Sequence, residues 1–429
     1  MESYNERDEE LTGAEQAFRL GGRRLVQEEQ PSMRAVALVH DDVLLRVGPH
    51  VDGSKFAKLD RPTPVVRRSS SIAVKQVWNE ENWKVPDPLE QVPVDFPLER
   101  THREIMDASA NEVANRISNT LRLLSVDAVY DGEKAKAKCT TGDCVSFCIR
   151  LFAGGEDGTP VVVEVQRRNG SASSFIRVCR KILDGAEGSI VEAETKASRK
   201  NMPPFMKTPI SSMKCLQGLR LPVDTDAKAQ ANAGIEKSMD LLRSKQKDTN
   251  VLGLENLCNL TDPLKTRPDV ALNASKAILL EPSSADIRDE ICVILQKDAF
   301  LPEEFEDERP MNYHDQARHK ALVLLSNTLV LTGKDGCLDE GVKTFKWFTE
   351  FLILSLLDEV KAFENSANNS YEAACGLTAL AACSEVARRV MKENAAGDDL
   401  RTAYQFGTFN HELLANECER ALKALGEGI

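Results

Sequence analysis

The sequence is short of positive charge. Its 429 residues carry 55 Lys and Arg against 67 Asp and Glu, a net of −12, and a general nucleic-acid binder normally shows the opposite balance. It also lacks a long apolar run. The most hydrophobic stretch, 351–357, falls far short of the ~20 residues a spanning helix needs. The first residues, MESYNERDEE, are acidic and polar rather than signal-like. Catalytic signatures are missing too: no Gly-rich phosphate loop, no HRD or DFG triplet, no Gly-x-Ser-x-Gly elbow, and no cysteine in a recognisable nucleophile motif. Cys139, Cys144 and Cys148 have a loose ligand-like spacing but no fourth partner for a tetrahedral metal. His314 and His319, five apart on a helix, splay rather than pair. The sequence therefore predicts no enzyme, no metal and no cofactor.

What is present is ordinary globular material: 42% hydrophobic and 28% charged residues, with eleven cysteines standing singly in apolar segments. That usage fits reduced, buried thiols and a cytoplasmic or nuclear protein. Residues 1–100 are rich in proline and mixed charge and read as largely flexible. Within them Arg67-Arg68-Ser69-Ser70-Ser71-Ile72 has the form of a basophilic kinase site, with Ser70 and Ser71 as acceptors.

Residues 101–186 are patterned as a small α+β module. Val113, Ile117, Leu121 and Leu124 form a helical stripe, opened by a capping box of Ser109 and Glu112. Four strands are expected next, near 126–130, 134–139, 144–152 and 160–168, with Asp131-Gly132 as the first hairpin turn. A helix over 173–184 closes the module. The order is helix, four-stranded antiparallel meander, helix, with both helices on one sheet face and solvent on the other. Lys134, Lys136 and Lys138 fall on one face of the second strand by period two. Arg167, Arg168, Arg177, Arg180 and Lys181 add to a candidate basic surface.

Residues 187–224 read as a linker with several prolines. From 225 to 429 the chain is helical, with breaks at Pro and Gly clusters. Three helices share a skeleton: a small residue before Leu, then Leu three positions on, at Gly253-Leu254, Ala321-Leu322 and Gly376-Leu377. Such spacing makes one apolar stripe. In the first two an Asn follows the second Leu by two residues, at Asn259 and Asn327. An amide on a packed helix must find partners. The sequence predicts a row of amides facing a ligand backbone, or amides bridging neighbouring helices. The two parts, 101–186 and 225–429, are expected to fold separately.

The unit at 239–280, with LLRS at 241–244, VLGLENLCNLTD at 251–262 and RPDVALNASKAIL after it, resembles an armadillo repeat. The likeness extends over about 225–429. It implies an all-α helical-repeat domain and a protein or extended-peptide partner, held at Asn259 and Asn327. Import receptors of that family place Trp four residues before each Asn. Here Glu255, Val323 and Thr378 stand there, against a groove for basic localisation peptides. The stretch VVVEVQRRNGSASSFIRVCRKIL, 161–183, resembles kinase-associated domain one, and that likeness implies anionic phospholipid at the basic surface. The leading expectation is a non-enzymatic adaptor that binds proteins and no nucleic acid. The alternative is a peripheral protein bound to an anionic membrane surface.

Overall fold

A computed structural model describes residues 83–93, 97–155, 160–189, 225–296 and 313–428. Ser70, Ser71 and most of the expected linker lie outside them. The first part is a sheet with two helices: β1 (His102–Ile105), α1 (Ala110–Leu124), β2 (Asp127–Asp131), β3 (Lys136–Thr140), β4 (Ser146–Ala153), β5 (Val161–Asn169) and α2 (Ala172–Ala186). The pairings among these strands are antiparallel and the strand order is β1-β5-β4-β3-β2.

The sheet has five strands rather than four. The extra strand, HREI, pairs with the edge of β5 and is mostly ionisable, so no apolar alternation announces it. Ser109 caps α1 by accepting from Glu112 N at 3.3 Å. The Glu112 carboxylate pairs with Arg116 at 2.5 Å, so only half of the expected capping box forms. The β2–β3 turn is longer than a two-residue hairpin. Ala135 takes a left-handed conformation, φ 44°, which removes Lys134 from the strand and from the face shared by Lys136 and Lys138.

Ala137, Cys139, Phe147, Ile149, Leu151, Val163 and Val165 are buried with Val113, Ile117 and Leu121 of α1 and Phe175, Val178 and Ile182 of α2 in one apolar cluster. Trp83 joins it, stacked on Tyr130 with ring centroids 5.4 Å apart. The module thus takes in Trp83, inside the stretch expected to be flexible. The opposite sheet face is also more enclosed than the sequence suggests. Lys136, Cys148, Phe152, Val162 and Glu164 on it are all buried, and Glu99 N donates to Glu164 Oε1 at 2.8 Å.

The second part is all helix: α3 (Thr225–Leu242), α4 (Lys247–Thr261), α5 (Pro268–Leu280), α6 (Ala285–Gln296), α7 (Tyr313–Asp335), α8 (Leu338–Thr344), α9 (Ile353–Lys361), α10 (Ala367–Cys383), α11 (Glu385–Glu393), α12 (Ala396–Asn410) and α13 (Glu412–Leu425). A π-helical turn, Phe348–Leu352, leads into α9. Helices α4, α7, α10 and α13 pack side by side in that order, and the shorter helices between them pack behind. Neighbours in this layer run the same way. His319 of α7 meets Asn369 of α10 near their starts, and Cys383 reaches Gly333 O near their ends.

The shared Leu skeleton is the buried stripe of this layer. Leu254, Leu257, Leu322, Leu325, Leu377 and Leu380 are all enclosed. The small residue before each pair marks a close helix approach. A Cβ at Gly253 would lie 2.9 Å from Ser238 O, and one at Gly376 would lie 3.0 Å from Leu329 and 3.1 Å from Leu356. Central α7 is enclosed on nearly every side from Ala317 to Thr332, which is why its sequence shows little one-sided pattern.

Each part has its own apolar cluster, one built from 83–186 and the other from 227–425. The two nevertheless belong to one compact unit, joined through polar contacts. No described helix is long and apolar enough to cross a membrane.

Candidate functional site

The expected amide row is used differently at its two positions. Asn327, on α7, is buried, and its Nδ2 donates to Cys258 O of α4 at 3.3 Å. Cys258 stands in the last turn of α4, where carbonyls lack their usual intrahelical partners. Asn327 supplies one across the layer. Asn259 is half-buried. Its Oδ1 accepts from Lys265 Nζ at 2.8 Å, and its backbone O from Thr266 Oγ1 at 2.7 Å. Asn327 thus bridges neighbouring helices, the second use the sequence allows, while Asn259 bonds the loop that follows its own helix.

Further along the layer, Glu372 of α10 and Glu417 of α13 lie among Ser326, Cys375, Thr378 and Arg420. Burial raises the Glu372 carboxyl to about 7, aided by the like charge of Glu417 and opposed by the Ser326 hydroxyl. Burial also raises Glu417, although Arg420 Nη1 lies 2.7 Å away. Glu417 Oε1 is enclosed with no hydrogen-bond partner. Thr378 is near, but its hydroxyl donates to Ala374 O at 2.8 Å, so it is a donor already spent.

The densest polar constellation lies where the sheet meets the helices. At the start of β2, the Asp127 carboxylate accepts from Asn368 N at 3.0 and 3.2 Å and from Ser366 Oγ at 3.1 Å. Asn368 Nδ2 donates to Thr140 O at 3.1 Å. His319 Nε2 lies 2.8 Å from Gly142 O, and its Nδ1 lies 2.8 Å from the Asn369 side-chain oxygen. Leu413 N donates to Ser125 Oγ at 2.9 Å. His411 caps α13: Leu414 N donates to its Nδ1 at 3.1 Å, and its Nε2 faces Asn368 Oδ1 at 3.3 Å and Asp127 Oδ1 at 3.8 Å.

This geometry fixes protons. His411 Nδ1 is an acceptor, so Nε2 carries the hydrogen. Burial drives the His411 pKa down to about 3, against smaller opposing hydrogen bonds. Burial likewise lowers His319. A neutral His319 donates from Nε2 to Gly142 O, and Nδ1 then accepts from the Asn369 amide turned to present its NH2. Burial raises Asp127 to about 6, opposed by the hydrogen bonds from Asn368 and Ser366.

The candidate basic surface is divided by the fold. Lys136, Lys138 and Arg168 share the outer sheet face around Cys148, which pairs with Lys138; burial raises its thiol, and Lys136, Arg150 and Arg168 lower it. Arg150 belongs with them, directly across from Lys136, and was not identified from the sequence. Arg177, Arg180 and Lys181 lie on α2, which covers the other face. Arg167 donates to Gly170 O at 2.7 Å and pins the β5–α2 turn. Lys134 stands in the β2–β3 turn. Asp131 lies across from Lys136 and Glu164 across from Arg150, so acids flank the outer cluster.

Cys139, Cys144 and Cys148 have thiols raised by burial, which leaves less thiolate for attack or ligation. No group of three metal-ligating side chains occurs among the described residues. His314 stacks edge-on against Tyr313 at 5.2 Å.

The residues that the sequence did not single out are Asp127, Ser366, Asn368, Asn369 and His411. The chain break at 366–369 was visible, but nothing local ties it to Asp127. Comparison of the chain with known protein families, characterised proteins and solved structures finds no match.

Proposed function

We propose that the chain is a non-enzymatic adaptor, without a cofactor, whose armadillo-like helical half binds protein partners along the α4–α7–α10–α13 layer. The observation that carries this reading is how the layer already treats a backbone. Asn368 and His319 reach Thr140 O and Gly142 O of an extended turn, taking hold of main chain rather than side chains. Side chains that read main chain suit a surface for extended peptides. Asn327 is buried in a bond across the layer and Asn259 bonds Lys265, so exposed positions beside them join the candidates. Leu252 and Glu255, exposed one turn apart on α4, are those positions. Lys320 of α7 lies close enough to Glu255 for both to act on the Cys258 thiol. The described cysteines are all free, which supports a cytoplasmic or nuclear setting.

The test is cross-linking of the full chain in cell extract, wild type against Leu252→Asp/Glu255→Arg. Partners held by the layer should be lost from the variant. An unchanged set of partners would exclude this surface.

A second reading, binding to anionic phospholipid, is favoured by one observation: Lys136, Lys138, Arg150 and Arg168 gather on one sheet face. Each cation near an anionic leaflet contributes about 1 kcal/mol. Equal sedimentation of the full chain with neutral and anionic vesicles at low salt would end it.

A further inference from the structure

The contact between sheet and helices gathers three buried titratable groups. They sit in an interface that joins two separate apolar clusters. We propose that this contact is a reversible, proton-sensitive joint: closed near neutral pH, it opens in mild acid as His411 and His319 take up protons.

His411 resists a second proton through its hydrogen bonds, and His319 resists one through burial. His411 Nδ1 already accepts from Leu414 N at 3.1 Å. A hydrogen there would confront the N–H that caps α13 and break the cap. His319 is held between Gly142 O and the Asn369 amide. A second ring hydrogen would find the Asn369 side-chain oxygen as its acceptor, so burial rather than hydrogen bonding opposes charge there. The ring is fully enclosed, so the charge would be left without water. Each event strikes a residue that bridges the two parts. His411 faces Asn368, whose amide holds Thr140 O, and His319 itself holds Gly142 O.

The surrounding groups set the balance. His411 faces Asp127 of β2, Asn368 and the Tyr371 ring of α10, 6.4 Å away. His319 feels Lys320 on its own helix and Asp143 of the β3–β4 turn, the first opposing and the second favouring a proton. Asp127 is flanked by Ser366, Asn368 and His411, and it adds to the field at the Cys139 thiol. Asp127 works against the histidines. Its proton is favoured in the closed joint, since burial raises it to about 6, so closing takes up a proton there while it expels one from His411. The wild-type joint is therefore partly compensated, and the compensation lies in one carboxylate.

Hydrogen exchange of the full chain tests this, with rates corrected for intrinsic pH dependence. The readout is protection of peptides spanning 138–145, 366–372 and 411–416 at pH 7.5 and 5.5, against β4 and α7 as internal references. The wild type should lose protection at the three joint peptides together, by roughly threefold or more, from opposed titration of His411 and Asp127. In Asp127→Asn the compensation is gone, and the loss between the same two pH values should grow to roughly tenfold. His411→Asn keeps a capping oxygen for Leu414 N, and His319→Gln keeps a donor for Gly142 O. Together they should abolish the acid response while the joint stays protected at pH 7.5. Unchanged protection of the wild-type joint at pH 5.5 overturns the proposal. So does an acid response that persists in the double variant, or one that β4 and α7 share in full.

Discussion

The Asp127 carboxylate accepts the backbone N–H of Asn368 at 3.0 Å, from a residue 241 positions further along the chain. An acid at the free N–H groups that open α10 is favourably placed, and Ser366 adds its hydroxyl. The same acid is costly to bury, as its raised pKa records. Replacement by Asn should therefore be mild, within about 1 kcal/mol at pH 7, because one acceptor survives and the charge is gone. Asp127→Ala leaves enclosed donors at Asn368 and Ser366 without partners and should cost ~1–3 kcal/mol. Urea midpoints of the two variants distinguish these outcomes; equal losses would contradict the reading.

The two amides picked out by the sequence should separate cleanly. Asn327→Ala removes a buried cross-layer hydrogen bond and should lower stability by ~1–2 kcal/mol. Asn259 is half-buried and bonds a Lys side chain, so Asn259→Ala should fall within about 0.5 kcal/mol of wild type. Thermal midpoints measured side by side check the order.

Glu372 gives a pH prediction with a definite sign. Its carboxyl, near 4.5 in the unfolded chain, is raised to about 7 in the fold. Between those values the folded chain holds more protons, so this group's contribution to stability falls as pH rises through 4.5 to 7. Glu372→Gln removes that penalty. The variant should gain on the order of 1 kcal/mol over wild type at pH 8 and nothing at pH 4.5. A gain that is larger at the acid end would reverse the assignment.

Gly376 faces Leu329 and Leu356 at distances that even a Cβ strains. Gly376→Val should cost ~1–3 kcal/mol by overpacking the α7–α9–α10 contact. Gly336, where an added Cβ meets nothing within 4 Å, has φ 83°. Gly336→Ala should also destabilise, through backbone conformation alone. Substitution by Asn at 336 should restore part of the loss, and at 376 should restore none.

Strands β2 to β5 and both flanking helices were legible because each repeats apolar residues at its own period. The module edge was not. His102–Ile105 is charged because it pairs along one side only, and Trp83 enters the core from a proline-rich stretch without periodicity. The helical half declared itself through the Leu skeleton, yet that pattern reports burial, and it could not say whether Asn259 and Asn327 face a groove or a neighbouring helix. The basic residues misled for a related reason. Period two groups Lys136 with Lys138, but only the three-dimensional sheet separates Arg177, Arg180 and Lys181 from them and adds Arg150. The joint was beyond reach, since its members come from five places in the chain and carry ordinary polar side chains.

Thr140 and Gly142 meet the helices through carbonyl oxygens alone. Main-chain oxygens belong to every residue type, so positions 140 and 142 are free to drift in sequence as long as the path of the turn is kept. A Cβ at Gly142 would only touch the Asn368 oxygen at 3.4 Å. Asp127 has no such latitude. Among variants of this protein, positions 140 and 142 should tolerate wide replacement while position 127 admits little beyond Asp and Asn. A turn transplanted from an unrelated hairpin of the same shape should seat as well as the native one, provided Thr141 and Asp143 are kept.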